Sequence, residues 1–310
     1  MQDARKYLRP EVLVAIHNLE LRARLVVEGF ITGLQSSPYQ GYSVEFATHR
    51  EYVPGDDVRH LDWRVYGKAD RFYIKQYEEE TNLRVYLLLD ASRSMLYPRQ
   101  SATDPDASQD GRMNKWDYAS TLVASLGFLT VHQQDAVGLL LFDSEIRRNV
   151  PPSTSRSQFQ ELVSVIADYT PDNRTDMKVL FEQLAEQVRQ RSLVVIVSDL
   201  LADPESIESG LRRLRHSRHD VIVLHVLDHD ELEFPFADNV QFEGMEEPDI
   251  RILTDPQSLR RSYRQAVEAF TSRMRSTCLN LRIDYELIST RDPLDAALRA
   301  FLARRMHARR

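Results

Sequence analysis

Asp90-Ala91-Ser92-Arg93-Ser94 places one carboxylate and two hydroxyls at alternate positions. In an extended segment such side chains leave the backbone on one side. Small oxygen ligands converging from one side suit a hard cation, Mg²⁺ or Mn²⁺, better than zinc. The competing reading is an ordinary strand-to-helix turn whose serines cap the helix. Two further groups could join the same cluster. Asp199 follows the apolar run Leu193 to Val197, and Thr175 lies in the loop Pro171-Asp172-Asn173-Arg174-Thr175-Asp176.

These groups need elements to position them. Val85-Tyr86-Leu87-Leu88-Leu89 reads as a buried strand running into the turn that starts at Asp90. Val137–Phe142, Leu193–Val197 and Val221–Val226 are similar apolar runs, and Ile146–Val150 is expected to hairpin back on the first of them. Between them, helical periodicity is expected over Lys115–His132, Phe159–Ile166, Met177–Val188 and Ser206–Leu214. Upstream, a helix is expected over residues 10–29, stopped at Gly29, and strand and turn over Glu51–Tyr77. Downstream come a short strand near Ile252, a helix over Pro256–Arg275, a strand over Leu281–Leu287 and a last helix from Pro293. Continuous apolar strands alternating with amphipathic helices predict a mostly parallel sheet covered on both faces. Ligands of such sheets bind beyond the carboxyl ends of the strands, where Asp90 and Asp199 both fall. The expected organisation is an N-terminal helix and β segment over 1–80, the α/β domain over 81–230, and an extension completing it over 231–310.

Composition narrows the classes. The 310 residues are 42% apolar and 28% charged, enough for a sizeable core. A formal net charge of −7 argues against nucleic acid as the main partner. Cys278 is the single cysteine, which excludes an internal disulfide and fits a reducing compartment. No apolar run approaches the roughly 18 residues of a membrane span, and no signal-like core follows Met1, so a cytoplasmic protein is expected.

With Asp90, Ser92, Ser94, Thr175 and Asp199 in view, the chain resembles a von Willebrand factor type A domain over about residues 82–230. The metal-ion-dependent adhesion site of that family combines Asp-x-Ser-x-Ser with a loop threonine and a later strand-end aspartate. The resemblance implies a Rossmann-like fold and a bound Mg²⁺ or Mn²⁺, ligated directly by the two serines. A second resemblance lies upstream. Arg50-Glu51-Tyr52-Val53-Pro54-Gly55-Asp56-Asp57-Val58-Arg59-His60-Leu61-Asp62-Trp63 is similar to the signature of the domain-of-unknown-function 58 family. Lys75-Gln76-Tyr77-Glu78-Glu79-Glu80, the Val137–Asp143 stretch and Asp255-Pro256 to Tyr263 fit the same family. Such proteins are typically bacterial and commonly encoded beside a MoxR-type AAA+ ATPase. The implied function is therefore a metal-dependent protein-binding module, with that ATPase as partner and unknown protein clients. The family usually has glycines before the threonine; here Asn173-Arg174 stand there.

Other features have blander readings. Pro54-Gly55 is a type II turn signal among clustered charges, and Trp63 calls for a buried surface, so this segment is expected to pack on the sheet domain. Residues 96–114 form a long polar loop, read as an insertion or a lid. His216, His219, His225 and His229 are not expected to form a zinc or nickel site. The Arg-rich end, Arg304 to Arg310, suits a solvated helix terminus. The chain has neither a Gly-x-Ser-x-Gly elbow nor a phosphate loop, so no enzyme is expected. The alternative is a metal-dependent phosphate-ester hydrolase with Asp90 as nucleophile, although Ser92 stands where such enzymes place a second aspartate.

Overall fold

The computed structural model describes residues 9–35, 49–51, 73–75, 83–98, 112–173, 177–188, 190–236, 240–245, 251–295, 297–299 and 301–302. The chain divides into two compact units, one of Met1–Gly33 with Leu83–Arg310 and one of Leu34–Asn82. In the smaller unit, β1 (His49–Glu51) pairs antiparallel with β2 (Tyr73–Lys75), Arg50 opposite Ile74. The segment from Tyr52 to Trp63 lies outside the described residues.

The larger unit is built on one six-stranded sheet. Its strands are β3 (Arg84–Asp90), β4 (Ala136–Phe142), β5 (Ile146–Ser153), β6 (Leu193–Ser198), β7 (Asp220–Leu227) and β10 (Asp284–Ser289). Their spatial order is β10-β7-β6-β3-β4-β5, and all pairs are parallel except β4 with β5. Counted within this sheet alone, that is the doubly wound order 3-2-1-4-5-6, which reverses direction between β3 and β6. The central strands are apolar at nearly every position because both faces are covered. α3 (Lys115–His132) and α4 (Gln158–Ala167) lie on the Leu87 side, where Gly127 lets α3 approach Leu87 and Leu162. α5 (Met177–Gln187), α6 (Pro204–His216) and α8 (Pro256–Asn280) cover the Leu88 side, with Leu180, Phe181, Leu211 and Met274 in one buried cluster.

α6 packs on α5 through Gly210. A methyl group there would sit 1.8 Å from Cδ2 of the buried Phe181 ring. Gly210→Ala should therefore destabilise the protein by about 1–3 kcal/mol through overpacking. A urea unfolding curve unchanged by the substitution would contradict this packing.

Several expected elements shift. The helix expected over 10–29 is two, α1 (Pro10–Leu13) and α2 (Leu19–Gln35), because Asn18 Oδ1 accepts the Leu21 N–H at 2.9 Å and starts a new helix. Gly29 does not stop α2, since Val26, Val27 and Phe30 continue the buried stripe across it. α8 extends through Asn280, so β10 begins only at Asp284. Two elements were not anticipated: α7 (His229–Glu233) and β8 (Val240–Glu243), which pairs with β9 (Arg251–Thr254). Most of the 96–114 loop, residues 99–111, lies outside the described residues, as do 303–310.

Candidate functional site

Four of the parallel strands end in a buried carboxylate or run directly into one. β3 ends at Asp90; Asp143 follows β4, Asp199 follows β6 and Asp228 follows β7, all four without solvent exposure. Asp90 and Asp199 flank the point where the strand order reverses. Strand-end side chains at such a crevice face a common opening.

The Asp90 turn is held tightly. Asp90 Oδ1 accepts the Ser92 N–H at 2.9 Å, and Oδ2 accepts the Ser198 hydroxyl at 2.5 Å. Ser92 then starts a short 3-10 turn, Arg93–Leu96, without capping it through its side chain. The Ser92 and Ser94 hydroxyl oxygens instead lie 3.0 Å apart, with the Ser94 hydroxyl beside Asp199, whose carboxylate it favours. The helix-capping alternative for Ser92 is thus not what the geometry shows. Asp90, Ser92, Ser94 and Asp199 are brought together, and Thr175 lies outside the described residues. Asn173, the last described residue before it, bridges Ser92, accepts the Arg93 N–H at 2.8 Å and donates from Nδ2 to Asp143 at 2.9 Å. A glycine at 173 could not make that last bond, so the departure from the family pattern has a structural use.

Residues that the sequence did not flag complete the site. Lys115, the first residue of α3, has no solvent exposure and donates to Asp199 Oδ2 and to Glu231 Oε1, each at 2.7 Å. Asp199 Oδ1 accepts the Leu201 N–H at 3.2 Å. Glu231 also accepts the Asp228 N–H at 2.7 Å, closing the capping box of α7. His225 bonds the Asp199 carbonyl at 2.9 Å through Nε2 and the Tyr285 hydroxyl at 2.7 Å through Nδ1. A carbonyl can only accept, so Nε2 carries the proton and Nδ1 accepts from Tyr285.

The electrostatics follow from burial. Desolvation, with the Asp199 charge beside it, pushes the Asp90 carboxyl well above the ordinary carboxylate range. Desolvation acts the same way on Asp199, but the Lys115 ammonium outweighs it and holds that carboxyl below its usual value. Lys115 is itself raised, because its two carboxylates overcome the desolvation that would lower it. Desolvation pushes His225 down to about 4, so its ring is neutral. A folded value below the unfolded 6.5 means the unfolded chain binds the proton more readily, and stability is lost as pH falls from 6.5 towards 4. At about 1.4 kcal/mol per pH unit, this loss reaches roughly 3 kcal/mol. Imidazole proton shifts followed by NMR should show His225 neutral down to about pH 4. An ordinary midpoint near 6.5 would contradict the placement of the ring.

The donor set suits a hard cation. Oxygens 3.0 Å apart match adjacent corners around an ion with bonds of about 2.1 Å, as Mg²⁺ requires. Two buried carboxylates close together are also an unfavourable pair that a cation would relieve. Among the described residues no three His, Cys, Asp or Glu side chains gather as a metal-holding group, so an ion here would rest on hydroxyls supported by Asp90 and Asp199. Asp90 has both oxygens engaged by Ser92 and Ser198, which leaves it poorly placed as a nucleophile.

The strand order, the helices on both faces and the polar rim at the switch point define a Rossmann-like, doubly wound α/β domain. The chain belongs to the family described as protein of unknown function DUF58, whose profile matches residues 48–273. It is 27% identical over 263 residues to an uncharacterised protein of Mycobacterium tuberculosis strain H37Rv, covering 84% of this chain and 79% of that one. An uncharacterised Mycobacterium bovis protein matches with the same identity and coverage. Among solved structures, an aerotolerance-related membrane protein from Bacteroides fragilis is similar at 17% identity and a TM-score of 0.45, covering 72% of this chain and 98% of that one. The VWA domain of SpRpn10 is similar at 10% identity and a TM-score of 0.36, covering 70% and 93%. No helix among the described residues is long and apolar enough to cross a membrane.

Proposed function

We propose that this chain is a protein-interaction module that takes a partner's carboxylate through a bound Mg²⁺ or Mn²⁺. Ser92 and Ser94 would hold the ion directly, with Asp90 and Asp199 supporting it and Thr175 adding an oxygen from the neighbouring loop. The observation that carries the reading is the pair of buried hydroxyl oxygens 3.0 Å apart beside Asp199, at the switch point of the sheet. Neutral hydroxyl ligands leave a divalent ion under-neutralised, so an open coordination position attracts an outside carboxylate. Family resemblance supports a MoxR-type AAA+ ATPase as the partner, acting on the assembly or maturation of other proteins. The single, buried Cys278 supports a cytoplasmic setting.

The test is capture of partners from the native host by the full chain, in Mg²⁺ and in chelator. A partner retained only with Mg²⁺, and released by a soluble carboxylate, is expected. Retention that ignores chelator contradicts the mechanism. Turnover of a generic phosphate ester that vanishes in Asp90→Asn would favour the hydrolase instead.

A further inference from the structure

Lys115 stands out chemically. The first turn of a helix is where a positive charge is least favoured, and an ammonium without solvent is costly unless paired. Lys115 is not needed to start α3, because Asn114 Oδ1 already caps it by accepting the Asp117 N–H at 2.7 Å. Its ammonium is instead shared between two carboxylates from different elements, Asp199 after β6 and Glu231 in α7. Glu231 pulls from a fixed position, since its other oxygen is held by the Asp228 N–H. Asp230 on the same short helix is paired with Arg112, three residues before Lys115, which fixes α7 against the start of α3.

We infer that Lys115 is the internal counter-charge that sets how tightly the rim holds its divalent cation. This rests on the metal reading proposed above. The ammonium occupies Asp199 Oδ2 while the Leu201 N–H is held by Oδ1. Asp199 is thereby kept from spending its full charge on the ion, and the ion stays deficient enough to accept a carboxylate from outside. Glu231 opposes this by drawing part of the ammonium's charge away from Asp199. The two residues should therefore act in opposite directions: removing the ammonium strengthens cation binding, and removing the Glu231 charge weakens it.

The experiment is calorimetric titration of Mn²⁺ into the full chain, with thermal melts to establish that each variant is folded. Lys115→Met keeps the length of the side chain and loses its charge. It should bind Mn²⁺ about tenfold more tightly or better, the effect of removing a unit positive charge bonded to a carboxylate that supports the ion. It should also gain more thermal stability from Mn²⁺ than the wild type does. Glu231→Gln, which retains an oxygen for the Asp228 N–H, should bind several-fold more weakly. Unchanged affinity in folded Lys115→Met, or weaker affinity, overturns the inference. If Lys115→Met does not fold, Glu231→Gln decides: weaker binding supports the inference, and unchanged or tighter binding overturns it. A wild type that binds no Mn²⁺ defeats the metal reading itself. Wild-type binding with unaltered variants defeats only the role given to Lys115.

Discussion

Ser92→Ala together with Ser94→Ala should abolish divalent-dependent partner binding and leave the fold intact. The two hydroxyls face each other, with Ser92 beside Asp90 and Ser94 beside Asp199, and not backbone groups that would otherwise go unpaired. The Ser92 N–H keeps its bond to Asp90 Oδ1, so the turn itself survives. Each substitution should cost at most about 1 kcal/mol, the usual net value of one hydrogen bond. The ion, by contrast, would lose two of its direct oxygens, and the partner's carboxylate would lose its anchor. The expected signature is a nearly normal thermal melt with no difference between Mg²⁺ and chelator in partner binding. A double variant that binds its partner as the wild type does would show that the hydroxyls are structural. The hydrolase alternative predicts the reverse order of importance, with Asp90 indispensable and Ser94 dispensable.

The largest effect on stability is expected at Asp199. Its carboxylate is one of two, each 2.7 Å away, that hold an ammonium with no access to water, and it is the fully buried one. Asp199→Ala leaves Lys115 to Glu231 alone and strips the Leu201 N–H of its acceptor. Breaking a buried ion pair from one side costs about 3–5 kcal/mol, because the ammonium is left with Glu231 alone to balance it away from water. Adding Lys115→Met to Asp199→Ala should recover part of that loss, since the under-compensated ammonium disappears while Glu231 keeps the Asp228 N–H. Urea unfolding of the two single variants and the double variant measures this. A cost under about 1 kcal/mol for Asp199→Ala would mean that the pair is solvated, and with it that the rim is open to water.

The sheet was legible because fully buried parallel strands are written as continuous apolar runs. Val85–Leu89, Val137–Phe142 and Leu193–Val197 read as strands for that reason, and Asp90 and Asp199 after the first and last of them marked the opening. Boundaries set by capping were harder to read. Asn18 divides α1 from α2 with one side-chain bond that periodicity does not register. Short α7 carries no periodic signal at all and exists through the Asp228 capping box. Within the site, the groups with a spacing pattern, Asp90, Ser92 and Ser94, were readable. Those that reach it across the fold were not: Lys115 lies 84 residues from Asp199, and Ser198 lies 108 from Asp90. One local sign of Lys115 did exist, namely a lysine in the first turn of an apolar helix, where the helix dipole opposes it. Asn173 read as a departure from pattern because its value lies in a bond to Asp143, 30 residues away.

The central claim is that the switch-point rim binds a divalent cation through serine hydroxyls. Calorimetric titration of Mg²⁺ and Mn²⁺ into the full chain and into Ser92→Ala/Ser94→Ala tests it most directly. Saturable binding of a single ion by the wild type, lost in the double variant at equal fold stability, is the predicted result. Binding of equal strength in both proteins, or no binding by the wild type, would contradict it.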